Sequence, residues 1–276
     1  MLTPRPHTRS QLVATRNVRV TGLCQHPAVR DFEDSTLWRI SAFDRVRQQT
    51  GGSGFARLGG PTLLPTSLLA ELRRLDADPQ GSDVLTVVAA CVRHREAALL
   101  CLAHEGLVWP ITLFPHEGLY HSPRDMREAS STGMARLRLA AAEPPGVRPP
   151  GHWMHDRIAQ ADHYRPLSPL LWMFALHGPR RELLNDIAGP AAYRLVSGSG
   201  AGRPQAAGAL GSAIERLQRE SVALREIARW PGMSPERAHR LLNGLYLTGN
   251  LLVSRSQAIP RAAVSERRGI FGKTRR

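Results

Sequence analysis

Residues 84–114 read VLTVVAACVRHREAALLCLAHEGLVWPITLF. Three apolar runs, Val84 to Val92, Ala97 to Ala103 and Leu107 to Phe114, are separated by the polar turn Arg93 to Glu96 and by Glu105-Gly106. The first run is β-branched and all three have strand length, so the stretch predicts an antiparallel meander of three strands. Upstream, Thr66 or Ser67 can cap a helix through Leu75, with Leu68, Leu69, Leu72 and Leu75 at helical spacing. Strands and helices that do not alternate predict an α+β domain.

Further from this stretch the signals thin. Leu37 to Val46 is a short helix or strand, followed by a loop of Gly51, Gly52, Gly54, Gly59, Gly60, Pro61 and Pro65. Residues 143–151, EPPGVRPPG, mark a break. Ser168-Pro169 opens a helix through Leu176, a second helix is expected to run to Ile187, and Tyr193 to Val196 reads as a strand. Ser197 to Gly211, SGSGAGRPQAAGALG, has little to bury and reads as a linker.

The C-terminal segment has the clearest pattern. Leu210, Ala213, Ile214 and Leu217 form one stripe of a helix over 210–219, and Ser212 with Glu215 has capping-box spacing. Ser221 can cap a second helix that points Leu224, Ile227 and Ala228 inward and stops at Trp230-Pro231-Gly232. Ser234-Pro235 opens a third, in which Ala238, Leu241, Leu242, Leu245 and Tyr246 follow helical periodicity. Gly249-Asn250 closes it, and Leu251 to Val253 reads as a strand.

The stretch LREIARWPGMSPERAHRLLNGLYLTGNLLVS, Leu224 to Ser254, resembles the winged helix-turn-helix family in its order of helix, glycine turn, helix, glycine stop and strand. The resemblance implies a C-terminal winged-helix domain over about 208–259, with the third helix as the recognition helix in the major groove of DNA. It makes Arg237, His239, Arg240 and Asn243 the outward, base-facing residues and puts Arg255 at the start of the wing. The whole chain then divides into a flexible basic arm (1–35), an α+β domain of unassigned role (36–196), a linker (197–207), the winged helix (208–259) and a basic tail (260–276).

Composition bounds the function. The 276 residues carry 37 basic and 23 acidic side chains, a net charge of +14, and 42% hydrophobic residues, enough for a core. Residues 1–30 hold five arginines and no acid, 31–200 are neutral, and 201–276 hold fourteen basic against five acidic groups. Charge confined to the two ends points to a polyanionic partner. Lys273 is the only lysine, a bias that a GC-rich bacterial genome also produces, so the position of the charge carries more weight than the choice of arginine. The tail residues Arg267, Arg268, Lys273, Arg275 and Arg276 would add salt-dependent affinity without sequence choice.

Three cysteines favour a reducing, cytoplasmic compartment, and no apolar run approaches a membrane span. Cys91-x-x-His94 and Cys101-x-x-His104 have zinc-ligand spacing, but their place in apolar runs makes buried cysteines the expectation; no metal or cofactor is expected. His152-x-x-His155-Asp156 reads as a loop surface, and His116, Glu117, His121 and Asp125 match no catalytic motif. Gly51 to Gly54 lacks the GK[ST] of a phosphate loop. The aromatic and proline cluster from Trp109 to Phe114-Pro115 and Tyr120 is expected to pack the sheet rather than wall a ligand pocket.

The sequence thus predicts a non-enzymatic bacterial regulator that binds DNA through Arg237, His239, Arg240, Asn243 and Arg255. The alternative is a protein-interaction adaptor in a signalling or secretion assembly, with Glu236 and an exposed Leu247 on its docking surface.

Overall fold

Val84–His94 is a helix, not the first strand of a meander. A computed structural model of the chain describes residues 37–52, 63–77, 83–131, 133–152, 161–196 and 206–255. The Asp83 carboxylate accepts the Thr86 backbone N–H at 2.9 Å and caps this helix, while Arg95 ends it in the left-handed region at φ 56°. Val84, Leu85, Val87, Val88, Ala89, Ala90 and Cys91 are all buried. An apolar run without alternation suits a helix enclosed on every side, and that enclosure with a capped start outweighs the strand preference of its valines.

The other two runs are strands. Among the described residues the first elements are β1 (Trp38–Arg39), α1 (Ile40–Thr50), α2 (Thr66–Ala77) and α3 (Val84–His94), followed by β2 (Ala98–His104), β3 (Leu107–Phe114) and β4 (Leu119–His121). After α4 (Met126–Ser131) come β5 (Arg138–Glu143) and β6 (Tyr164–Pro166), giving an antiparallel sheet in the order β5-β2-β3-β4-β6, with β1 also on β3. In β2 and β3 the pairs Ala98↔Leu113, Leu100↔Ile111 and Leu102↔Trp109 share the face that joins the main core. Leu99, Cys101 and Val108 are buried on the opposite face, where α1 packs on β3 and sends the Arg47 guanidinium to the Ala140 carbonyl of β5 at 2.7 Å. Continuous apolar strands follow from a sheet covered on both sides.

α5 (Leu167–His177) leads to β7 (Ala192–Leu195), α6 (Ala209–Arg219), β8 (Val222–Ala223), α7 (Leu224–Ile227), α8 (Pro235–Leu247) and β9 (Leu251–Ser254). The expected first and third C-terminal helices and the following strand are present. The second is a single turn preceded by β8, with Ala223 rather than Ser221 at its cap. The second sheet runs β8-β7-β9, all antiparallel. Its middle strand therefore comes from upstream of α6, within the region that sequence places in the 36–196 domain. α8 packs along α5, so the expected boundary at 196/197 does not separate two independent cores.

Residues 178–191 contain no helix, contrary to the expected run to Ile187, although Leu183, Leu184 and Ile187 are buried. Their backbone groups are claimed by side chains instead: Arg180 donates to the Leu183 carbonyl at 2.7 Å, and Asn243 takes both the Leu184 N–H and the Glu182 carbonyl. The basic arm, residues 197–205 of the linker, and the tail lie outside the described residues, as do His155 and Asp156.

Candidate functional site

α8 begins where Ser234 accepts the Arg237 backbone N–H at 3.2 Å, with Pro235 in the first turn. Its apolar side is the one read from sequence: Ala238, Leu241, Leu242 and Leu245 are buried. The opposite side is not free. Gly244 lies against Trp172 of α5 so closely that a Cβ there would sit 2.4 Å from the ring. Glycine at this mid-helix position, unfavourable for propensity, lets the two helices meet.

Two of the expected base-reading residues are consumed by this contact. Arg240, with its side chain 14% exposed, donates from Nη1 to the Leu176 carbonyl at 2.7 Å and the Gly178 carbonyl at 3.0 Å, and from Nε to Glu236 at 3.1 Å. It thereby satisfies the open carbonyls at the C-terminus of α5, where a cation also meets the negative end of the helix dipole. Asn243 is fully buried: its Oδ1 accepts the Leu184 N–H at 2.9 Å and its Nδ2 donates to the Glu182 carbonyl at 2.9 Å. Asn243 is closed off from solvent and Arg240 is mostly covered, which corrects their expected outward placement. The helical period put them on the polar face; a second set of elements covers that face.

The remaining residues of the expected site stay nearer the surface. His239 places Nδ1 3.0 Å from the Arg181 carbonyl. Arg237 is exposed and donates to the Gly232 carbonyl, while the exposed Arg255 donates to the Asp186 carbonyl at 2.7 Å. Glu236 also faces Arg181 at 3.7 Å. Leu247, expected to be exposed, is buried at 3%. Arg267, Arg268, Lys273, Arg275 and Arg276 are outside the described residues.

A polar cluster further ties α8 to the first half of the fold. Arg93 of α3 pairs with Glu71 of α2 and with Asp186 at 2.5 Å, and hydrogen-bonds Tyr246 of α8. His94 lies 2.6 Å from the second Glu71 oxygen. Burial pushes the Glu71 pKa up, but His94 and Arg93 outweigh it and hold the carboxyl below its usual range. Nothing in the local sequence signals this cluster, because its members are brought together from four separate segments.

The chemistry-like patterns take structural places. Cys91 is buried in α3, and burial pushes its thiol up to about 12, far from a reactive thiolate. Cys101 is buried in β2. His116 and Glu117 lie 3.8 Å apart at the surface, whereas the His121 ring packs on Tyr164 at 4.9 Å, so the acid/base cluster is dispersed. Among the described residues no group of three or more His, Cys, Asp or Glu is placed to hold a metal ion, and no helix is long and apolar enough to cross a membrane.

Comparison with protein-family models, curated proteins and solved structures finds no match to this chain.

Proposed function

We propose that the chain is a non-enzymatic bacterial regulatory adaptor whose C-terminal unit is a winged helix-turn-helix adapted to protein contact rather than base reading. The helix order α6-β8-α7-α8-β9 supports the winged-helix part, with β7 supplying the middle strand of its sheet. One observation carries the functional part: the face of α8 that would enter a major groove is occupied by α5 and by residues 178–184, with Arg240 and Asn243 bonded to their backbone. Reading bases through Arg240 and Asn243, alongside the exposed Arg237 and Arg255, would require that interface to open.

A second reading, contact with nucleic acid without base recognition, is favoured by the location of the charge. Residues 206–255 hold seven arginines against four glutamates, whereas 260–276 hold six basic residues against one acid. The two readings separate in a pull-down from native lysate after nuclease treatment: partners that survive support the adaptor. DNA selection on the full chain is expected to yield no preferred sequence. Deleting residues 260–276 is expected to lower the log–log salt slope of any residual binding by up to about 5, at roughly 0.9 per phosphate contacted. A selected site whose binding collapses in Arg237→Ala would contradict the proposal.

A further inference from the structure

β4, β6 and the first two turns of α5 border a cavity of about 270 Å³. Tyr120, Asp125, Arg127 and Arg165 line its polar side. Leu170 and Met173 of α5, with Pro166 and Pro169, line the apolar side. This volume falls just under the roughly 300–1,000 Å³ usual for small-molecule sites.

The polar side is partly built and partly unused. The Arg165 guanidinium is fixed by the Ser122 carbonyl at 2.9 Å and the His163 carbonyl at 3.2 Å, with Asp125 4.0 Å from its Nε. Asp125 in turn accepts the Arg127 backbone N–H at 3.0 Å. The Arg127 side chain is exposed and has no ion-pair partner among the described residues. Tyr120 is buried at 5%, yet no hydrogen bond to its hydroxyl is formed among the described residues. Burial raises the Tyr120 pKa, Asp125 adds to the rise, and Arg165 and Arg127 oppose it, which places the phenol within electrostatic reach of all three charges. The ring is buried while the hydroxyl is not among the buried unpartnered polar atoms, so it faces the open cavity as a donor available to a ligand.

We propose that this cavity binds a small organic monoanion, a carboxylate on an apolar body. The carboxylate is received by the Arg127 and Arg165 guanidiniums and the Tyr120 hydroxyl, and the body lies on Leu170 and Met173. Two guanidiniums against one carboxylate leave a single positive charge to neutralise. Asp125 therefore disfavours a dianion such as a phosphate monoester, which would bring an uncompensated negative charge into the site. A phenyl ring or a branched five-carbon chain fits within this volume. The inference goes beyond the proposed adaptor function and stands independently of it.

Titration of the full chain with benzoate and isovalerate by calorimetry and by chemical-shift perturbation tests the site. Saturable binding of at least one of them is expected, with benzyl alcohol and inorganic phosphate binding at least tenfold more weakly. Arg127→Gln changes an exposed side chain, so the fold is kept, and it is expected to weaken the carboxylate roughly tenfold; Tyr120→Phe is expected to weaken it roughly three- to tenfold. Met173→Trp fills the apolar side and is expected to abolish saturation while near-ultraviolet dichroism shows a folded chain. Arg124→Gln, a nearby charge outside the cavity, should leave affinity unchanged. No saturable binding of either carboxylate, equal binding of benzyl alcohol, or equal loss in Arg124→Gln and Arg127→Gln would each overturn the proposal.

Discussion

Both α3 and α8 are enclosed helices, but the means of enclosure differ. α3 buries seven apolar residues and meets its neighbours through packing alone along most of its length, with polar anchors only at its ends, Asp83 at one and Arg93-His94 at the other. α8 buries an apolar stripe on one side and, on the other, inserts Asn243 and Arg240 into the backbone of residues 176–184. Apolar burial is non-directional and tolerates changes of shape at constant volume. Hydrogen bonds to specific carbonyls and N–H groups fix one register and one rotation, so α8 is held where it is by contacts that permit no sliding.

That contrast gives an order of effects. The largest is expected at Asn243, where either Ala or the volume-conserving Leu leaves the Leu184 N–H buried and unpaired and leaves the Glu182 carbonyl with Arg180 as its remaining donor. Each variant should lose about 3 kcal/mol in urea unfolding. Gly244→Ala comes next, at about 2 kcal/mol, because its Cβ must displace the Trp172 ring. In α3 the matching shape change, Leu85→Met, should cost less than about 1.5 kcal/mol; a cost equal to that of Asn243→Leu would erase the distinction between the helices.

Smaller still is the effect of the Glu71 cluster. The folded pKa of Glu71 lies below its ordinary 4.5, so the carboxylate stabilises the fold above the unfolded value. That contribution is lost as pH falls through 4.5 toward the lower folded value. Stability measured from pH 6 to pH 3 should decline less steeply in Glu71→Gln. Arg237→Ala, at the exposed end of α8, should stay within about 0.5 kcal/mol of the parent chain. An effect as large as that of Asn243→Ala would place Arg237 in an interface and reopen its functional role.

The elements of the C-terminal segment were legible because their signals are local: Ser234-Pro235 starts α8, the leucines set its apolar stripe, and Gly249 stops it. What covers its polar face was not, since the partner backbone at 176–184 is about 60 residues away in sequence and carries no pattern complementary to Asn243. Gly244 was the one visible hint, a mid-helix glycine whose cost to propensity is offset by a close approach. The α3 stretch shows the converse. Its burial could be read from composition, but its period could not, because a short apolar run enclosed on all sides has no polar face to reveal 3.6 or 2.0. Tyr120 was visible as a member of an aromatic cluster, whereas Arg165 and Met173 join it only through the β4–β6 pairing and the placement of α5.

The enclosure of α8 is tested most directly by proton contacts across the α5–α8 interface in the full chain. With selectively labelled tryptophan and glycine, a strong nuclear Overhauser effect is expected between the Trp172 ring protons and the Gly244 α-protons. The Gly244 α-protons should also be shielded from a soluble paramagnetic agent. No such contact, with the Gly244 α-protons open to the agent, would mean that the face bearing Arg240 and Asn243 is free, and base reading by α8 would return as the leading account.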